Sequence, residues 1–149
     1  MPFRLSRLAA EVSTALAKEY RERYGIDVPE WRVIATLGYR QTPCSAQFIS
    51  QCTRTHKSTI SRAVTTLLKS NVIERVENED DRREFNLRLT RKGRKFYQEL
   101  FPRLLRKEQE ILSCLSAQEC KDFSRALGKI EKSLDLVQTS KEADKTEAY

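Results

Sequence analysis

Over the first stretch of the chain, Leu5, Leu8, Val12, Leu16 and Tyr20 recur at steps of three and four. That spacing gathers side chains on one helical face and predicts a helix of about five turns. Gly25 is placed to end it. Pro29 suits the first turn of a second helix, in which Trp31, Ile34, Ala35 and Leu37 face inward before Gly38 and Pro43 punctuate the chain. A short third helix is expected from about Ser45 to Cys52, burying Phe48 and Ile49. Thr53 to Thr55 read as a tight polar turn, with Thr55 capping a fourth helix whose inward residues are Ile60, Val64, Leu67 and Leu68.

The period then changes from helical to alternating. Val72 to Val76 and Phe85 to Leu89 are the two arms of a hairpin, with Phe85, Leu87 and Leu89 on one face and Asn86 and Arg88 on the other. The intervening Asn78 to Arg83 is polar throughout, as a hairpin tip must be. Thr90 is positioned to cap a long fifth helix running through Phe96, Tyr97, Leu100, Phe101, Leu104, Leu105, Ile111, Leu112 and Leu115, bent or restarted at Pro102. Ser116 and Glu119 form a capping box that opens a sixth helix carrying Phe123, Leu127, Ile130, Leu134 and Val137. Beyond it, 138–149 is a polar tail expected to be disordered.

This pattern predicts a mainly α fold with a small β-hairpin wing: a winged helix-turn-helix over 1–137, its compact lobe at about 28–95, with helices at both ends. The terminal stripes are more apolar than so small a lobe can bury. A second copy of the chain would cover them, so a homodimer is expected.

Charge sharpens the picture. The chain has a formal net charge of +7, and the segment from Arg54 to Lys95 holds twelve Lys or Arg against six acids, nearly all of that excess. A positive field concentrated on one motif suits a polyanion, because neutralising phosphates releases condensed counterions. The four cysteines, at 44, 52, 114 and 120, form no CxxC pair, and His56 is the one histidine. No metal site and no cofactor are therefore expected, and no nucleophile, base and acid come together as an enzyme requires. The amino terminus lacks a signal-peptide core, and no run is long enough to cross a membrane, so a cytoplasmic protein with no membrane partner is expected.

A helix followed by a basic hairpin is the arrangement that reads duplex DNA, the helix in the major groove and the hairpin at the neighbouring minor groove. The exposed side of the fourth helix offers Lys57, Ser58, Thr59, Ser61, Arg62 and Thr65. Arg62 can make a bidentate contact with guanine, and short hydroxyls allow close approach to base edges or simply cap the helix. His56 either touches phosphate or faces solvent without a role. At the hairpin, Arg82, Arg83 and Arg88 are the candidate DNA contacts, and Asp81 is expected to orient the neighbouring arginine.

Asp81-Arg82-Arg83, followed after five residues by Leu89-Thr90 and then Gly93, resembles the Asp-x-Arg and Leu-Thr-x-x-Gly wing pattern of the MarR family of bacterial transcription regulators. Trp31-Arg32-Val33-Ile34 is similar to that family's second-helix signature. Leu67 with Asn71-Val72-Ile73 is similar to its exit from the recognition helix, with Asn71 where glycine is usual. The likeness covers about residues 3 to 137. It implies a homodimeric repressor that binds a double-stranded, pseudo-palindromic operator and releases it to a small-molecule effector, such as an aromatic acid, a phenol or a CoA thioester. It also implies that Arg83 is the minor-groove arginine, with Asp81 its partner. Tyr20, Tyr24, Trp31 and Tyr39 could line the effector site implied between the dimerisation helices and the DNA-binding lobe, or could be core aromatics. Two alternatives use the same basic segment: a cysteine-based redox-sensing regulator, or an architectural DNA-binding protein without effector. The first is weakened because the family's peroxide sensors carry their cysteine in the first helix, and this chain has none there.

Overall fold

The computed structural model describes residues 1–136, so Val137 and the tail at 138–149 lie outside the described residues. The order of elements is α1 (Pro2–Tyr24), α2 (Val28–Arg40), β1 (Cys44–Ser45), α3 (Ala46–Cys52), α4 (Lys57–Lys69), β2 (Ile73–Glu77), β3 (Phe85–Leu89), α5 (Arg91–Leu112) and α6 (Ala117–Ser133). The chain forms two compact units, one from Met1 to Glu108 and one beginning at Gln109. The first contains a mainly helical winged helix-turn-helix.

Its core is built from the faces that the periodicity marked. Val33, Ile34 and Leu37 of α2, Ile49 of α3, and Ile60, Ala63, Val64 and Leu67 of α4 are buried together with Val72, Ile73, Leu87 and Leu89 of the sheet region. Removing each large apolar side chain from water contributes roughly 1.5–3 kcal/mol, which is what holds three short helices against three short strands. A second cluster joins Ala17 and Tyr20 of α1 to Leu100 and Leu104 of α5.

The hairpin pairs Ile73 with Leu89 through Glu77 with Phe85, antiparallel. The sheet has a third strand that alternation did not reveal: Cys44 pairs with Leu87 and Ser45 with Asn86 across β1 and β3. Two residues are too few to show a period, so only the partner strand defines them.

Some details differ from expectation, among them the ends of α5 at Leu112 and of α6 at Ser133. α2 continues through Gly38 to Arg40 and stops at Gln41, which takes the left-handed conformation. Gly38 serves packing instead: a Cβ there would lie 2.5 Å from the Tyr97 ring of α5. Of the bend or restart expected at Pro102, the restart does not occur: α5 is one helix with Pro102 inside it. The cap of α4 is His56 rather than Thr55, its Nδ1 accepting from the Ser58 backbone N–H at 3.2 Å. Other caps follow the sequence. Gly25 ends α1 with φ 64°, and Ser116 and Glu119 close their capping box at the start of α6.

Leu-Thr-x-x-Gly forms a joint. Thr90 Oγ1 accepts from the Gly93 N–H at 3.0 Å and donates to the carbonyl of Asn71 at 2.7 Å, tying the first turn of α5 to the exit of α4. A Cβ on Gly93 would lie 2.0 Å from the Val72 carbonyl oxygen, so only glycine allows that approach. Asn71 itself has φ 56°, the left-handed conformation that its polar side chain tolerates.

Candidate nucleic-acid interface

α4 has a sharply divided surface. Ile60, Ala63, Val64 and Leu67 are buried, whereas Lys57, Ser58, Ser61, Arg62 and Thr65 are exposed along the opposite side. Thr59 is half-buried, the least accessible of the expected contacts. The Thr65 hydroxyl donates to the Ser61 carbonyl at 3.0 Å, leaving its lone pairs as acceptors. Arg62 touches its own helix only through a long Nε contact to the Ser58 carbonyl, 3.4 Å, so its terminal nitrogens remain available.

The start of α4 is held by a polar network that spacing alone did not suggest. Arg32 of α2 donates from Nη1 to Thr55 Oγ1 at 2.8 Å. The buried Ser50 hydroxyl donates to the Thr55 carbonyl at 2.7 Å, and Thr53 Oγ1 bonds Thr55 Oγ1 at 3.0 Å. Thr55 is thus a tie between α2 and the turn, and His56, next along, accepts from the free Ser58 amide of α4. Because Nδ1 accepts, the imidazole is assigned as the Nε2–H tautomer. The signal for this role was the polar run Thr53 to Ser58, though which of its members caps depends on the path of the turn.

At the hairpin tip, two side chains fold the backbone. Asn78 Oδ1 accepts from the Asp80 N–H at 3.1 Å, and Asp81 Oδ1 accepts from the Arg83 N–H at 2.9 Å. Asp81 therefore braces the main chain at Arg83 rather than its guanidinium. Arg82 and Arg83 are exposed, and among the described residues no carboxylate pairs with either. Arg88 differs: its Nε bonds Glu74 Oε1 at 2.7 Å across the strands. At about half exposure for both partners, that pair contributes little, within ~1 kcal/mol.

The aromatic candidates separate. Tyr20 stacks on Trp31 at 6.0 Å, Trp31 on Tyr97 at 6.2 Å, and Tyr97 on Phe101 at 5.2 Å, while Tyr24 meets Phe96 edge-on. These rings are packing partners linking α1, α2 and α5. Burial raises the Tyr20 phenol above its ordinary value. Tyr39 is 57% exposed and makes none of these ring contacts. A cavity of about 500 Å³ opens between the end of α2, β3 and the start of α5, and of the candidate DNA-contact and effector-site residues Arg88 alone lines it.

The thiols divide by burial. Cys44 is buried, and desolvation pushes it up to about 11; Cys52 is raised for the same reason, and Cys114 is exposed. No group of three or more metal-ligating side chains occurs among the described residues, and no helix there is long and apolar enough to cross a membrane.

Comparison with known proteins agrees with this geometry. A model of the MarR family matches residues 24–84. The HTH-type transcriptional regulator PecS of Dickeya dadantii is 29% identical over 132 residues, covering 87% of this chain and 79% of that protein. A MarR/EmrR family transcriptional regulator from Acinetobacter sp. ADP1 superposes with a TM-score of 0.79 at 25% identity, covering 90% of this chain and 94% of that one. MepR of S. aureus, solved as a DNA complex, gives 0.76 at 20% identity over 89% of this chain and 97% of its own. The chain is thus similar to the MarR family of winged helix-turn-helix transcriptional regulators, in sequence over residues 24–84 and in fold over about nine-tenths of its length.

Proposed function

We propose that the protein is a homodimeric repressor that holds a pseudo-palindromic operator and releases it when a small organic effector binds. The observation that carries the DNA-contact part of this reading is the pairing of two surfaces. One side of α4 bears Lys57, Ser58, Ser61 and Arg62 with no apolar residue among them, and the hairpin tip presents the unpaired Arg82 and Arg83. Arg62 and the hydroxyls choose sequence in the major groove, and Arg83 enters the minor groove on a backbone braced by Asp81.

Dimerisation is supported by apolar surface that the described residues leave open. On α1, Phe3 is 75%, Leu5 42% and Leu8 52% exposed; on α6, Phe123 is 39% and Ile130 47% exposed. Each stripe, taken by itself, is the kind of open apolar face that a second copy of the chain would cover. Two lobes so held would meet half-sites about 34 Å apart, one turn of DNA.

The test uses fluorescence anisotropy with a duplex drawn from the region upstream of the gene, over a salt series. Arg83→Ala should weaken binding and reduce the salt slope by about one, the loss of one phosphate-region cation. Unchanged affinity and slope would remove the wing from the interface. Arg62→Ala should reduce the preference for operator over random duplex; equal loss on both would make Arg62 a phosphate contact instead.

A further inference from the structure

We infer that Arg54, in the turn between α3 and α4, is a further DNA contact of this lobe, its guanidinium taking a backbone phosphate beside the groove proposed for α4. This rests on the DNA-binding reading above and adds to it a residue that belongs neither to α4 nor to the wing.

The first observation is conformational. Arg54 has φ 50°, in the left-handed region that glycine enters freely and that a residue with a Cβ enters against steric resistance. Its side chain gains nothing locally in return, because among the described residues it makes no hydrogen bond to the turn. A residue in such a conformation persists only where its neighbours fix the chain around it, and that pattern is found where the strained position serves a function.

The neighbours do fix it. Before Arg54, the Thr53 N–H and hydroxyl both donate to the Ile49 carbonyl, at 3.0 and 2.7 Å. After it, the Thr55 N–H donates to the Ser50 carbonyl at 3.1 Å, and the buried Ser50 hydroxyl donates back to the Thr55 carbonyl at 2.7 Å. Arg32 of α2 adds its bond to Thr55 Oγ1 at 2.8 Å. The two threonines therefore hold the turn, and the arginine between them does not.

The second observation is electrostatic. No Asp or Glu lies between Glu30 and Glu74, a stretch that contains most of α2 and the whole of β1, α3 and α4. Arg54 is exposed without an ion-pair partner among the described residues, and Lys57 and Arg62 follow it on α4 in the same state. A guanidinium that shares its charge with no carboxylate keeps its planar donor fork for an external anion, and a phosphate diester accepts two such bonds side by side. Because the turn is already rigid, only the side chain has to be ordered on binding.

Three replacements separate charge from backbone. Arg54→Lys keeps the charge, Arg54→Asn drops it in a residue that tolerates the left-handed conformation, and Arg54→Gly drops it while removing the steric resistance. Each full-length variant is titrated by fluorescence anisotropy against the duplex from upstream of the gene and a scrambled duplex of equal length, over about 0.05–0.2 M salt. Thermal midpoints are recorded alongside. Arg54→Asn and Arg54→Gly should each flatten the plot of log K against log salt by about 0.9, which near 0.15 M amounts to about fivefold weaker binding, equally on both duplexes. Arg54→Lys should keep the wild-type slope. The midpoint of Arg54→Gly should equal or exceed that of wild type, so binding weakens while the fold does not, an opposition that a merely structural residue does not produce. Wild-type slope and affinity in the Asn and Gly variants overturn the contact and leave the DNA-binding reading standing. Loss on the upstream duplex alone overturns the phosphate assignment in favour of a base contact. Lower midpoints with the slope lost equally in Arg54→Lys assign the residue to the fold instead. A wild type that binds neither duplex removes the reading and the Arg54 contact together.

Discussion

The two regions of apolar pattern are used in opposite ways. In the lobe around α4 nearly every periodic apolar residue is covered: Ile34, Ile49 and Ile60 are 0% exposed and Leu67 is 1%. In α6 the stripe is as regular, yet no residue of the helix is buried. α1 holds both behaviours in one helix, with Ala17 and Tyr20 inside and Phe3, Leu5 and Leu8 outside. Equal periodicity thus accompanies two outcomes, a stripe covered within the chain and a stripe that the described residues leave open. A stripe states that a face wants covering, and burial states whether the same chain covers it.

The largest effect expected is inside the lobe. Leu67→Ala should cost about 2–5 kcal/mol by leaving a cavity beneath α4, read as a drop in denaturation midpoint. A loss under 1 kcal/mol would mean the lobe is looser than its burial indicates. An intermediate effect belongs to the other stripe. If the proposed homodimer forms through α6, Ile130→Asp should leave helical content intact while raising the dimer dissociation constant by about an order of magnitude or more, measured by light scattering across a dilution series. Persistence of the wild-type dimer would take α6 out of the interface. The smallest effect concerns Cys44. A thiol raised by burial binds its proton more tightly folded than unfolded, so it contributes stability at pH 8 that declines as pH rises from 9 towards about 11. Cys44→Ala should flatten that decline, and iodoacetamide at pH 8 should label the exposed Cys114 well before Cys44. Labelling in the reverse order would return thiol chemistry to consideration.

Whatever depended on near neighbours was legible in the residues. The three- and four-residue steps marked the buried faces of α2 and α4, alternation marked the hairpin, and Ser116 with Glu119 marked the start of α6, because each is a local contest between backbone geometry and water. What was hidden depended on the path of the chain. β1 exists only because β3 passes beside it. Gly38 reads as a helix end until Tyr97, fifty-nine positions later, lands on it. His56 rather than Thr55 caps α4 because Arg32 already holds the Thr55 hydroxyl. The cavity combines residues from Leu37 to Gln98, and no spacing rule brings those together. The four aromatic candidates were the residues most open to two readings, and three of them are packing partners.

The joint at the base of the wing has a consequence for how this architecture can vary. Thr90 and Gly93 meet the exit of α4 through main-chain atoms and a hydroxyl, and Lys92 Nζ reaches the Ser70 carbonyl at 2.8 Å. Those contacts close a loop around the base of the hairpin, whose strands are also held by β1 and by the burial of Ile73, Leu87 and Leu89. Residues at the tip answer only to their own Asx turns. Lengthening the tip, recharging it or exchanging it for another should leave α4 in its place, so the hairpin tip is a replaceable cartridge on a fixed mount.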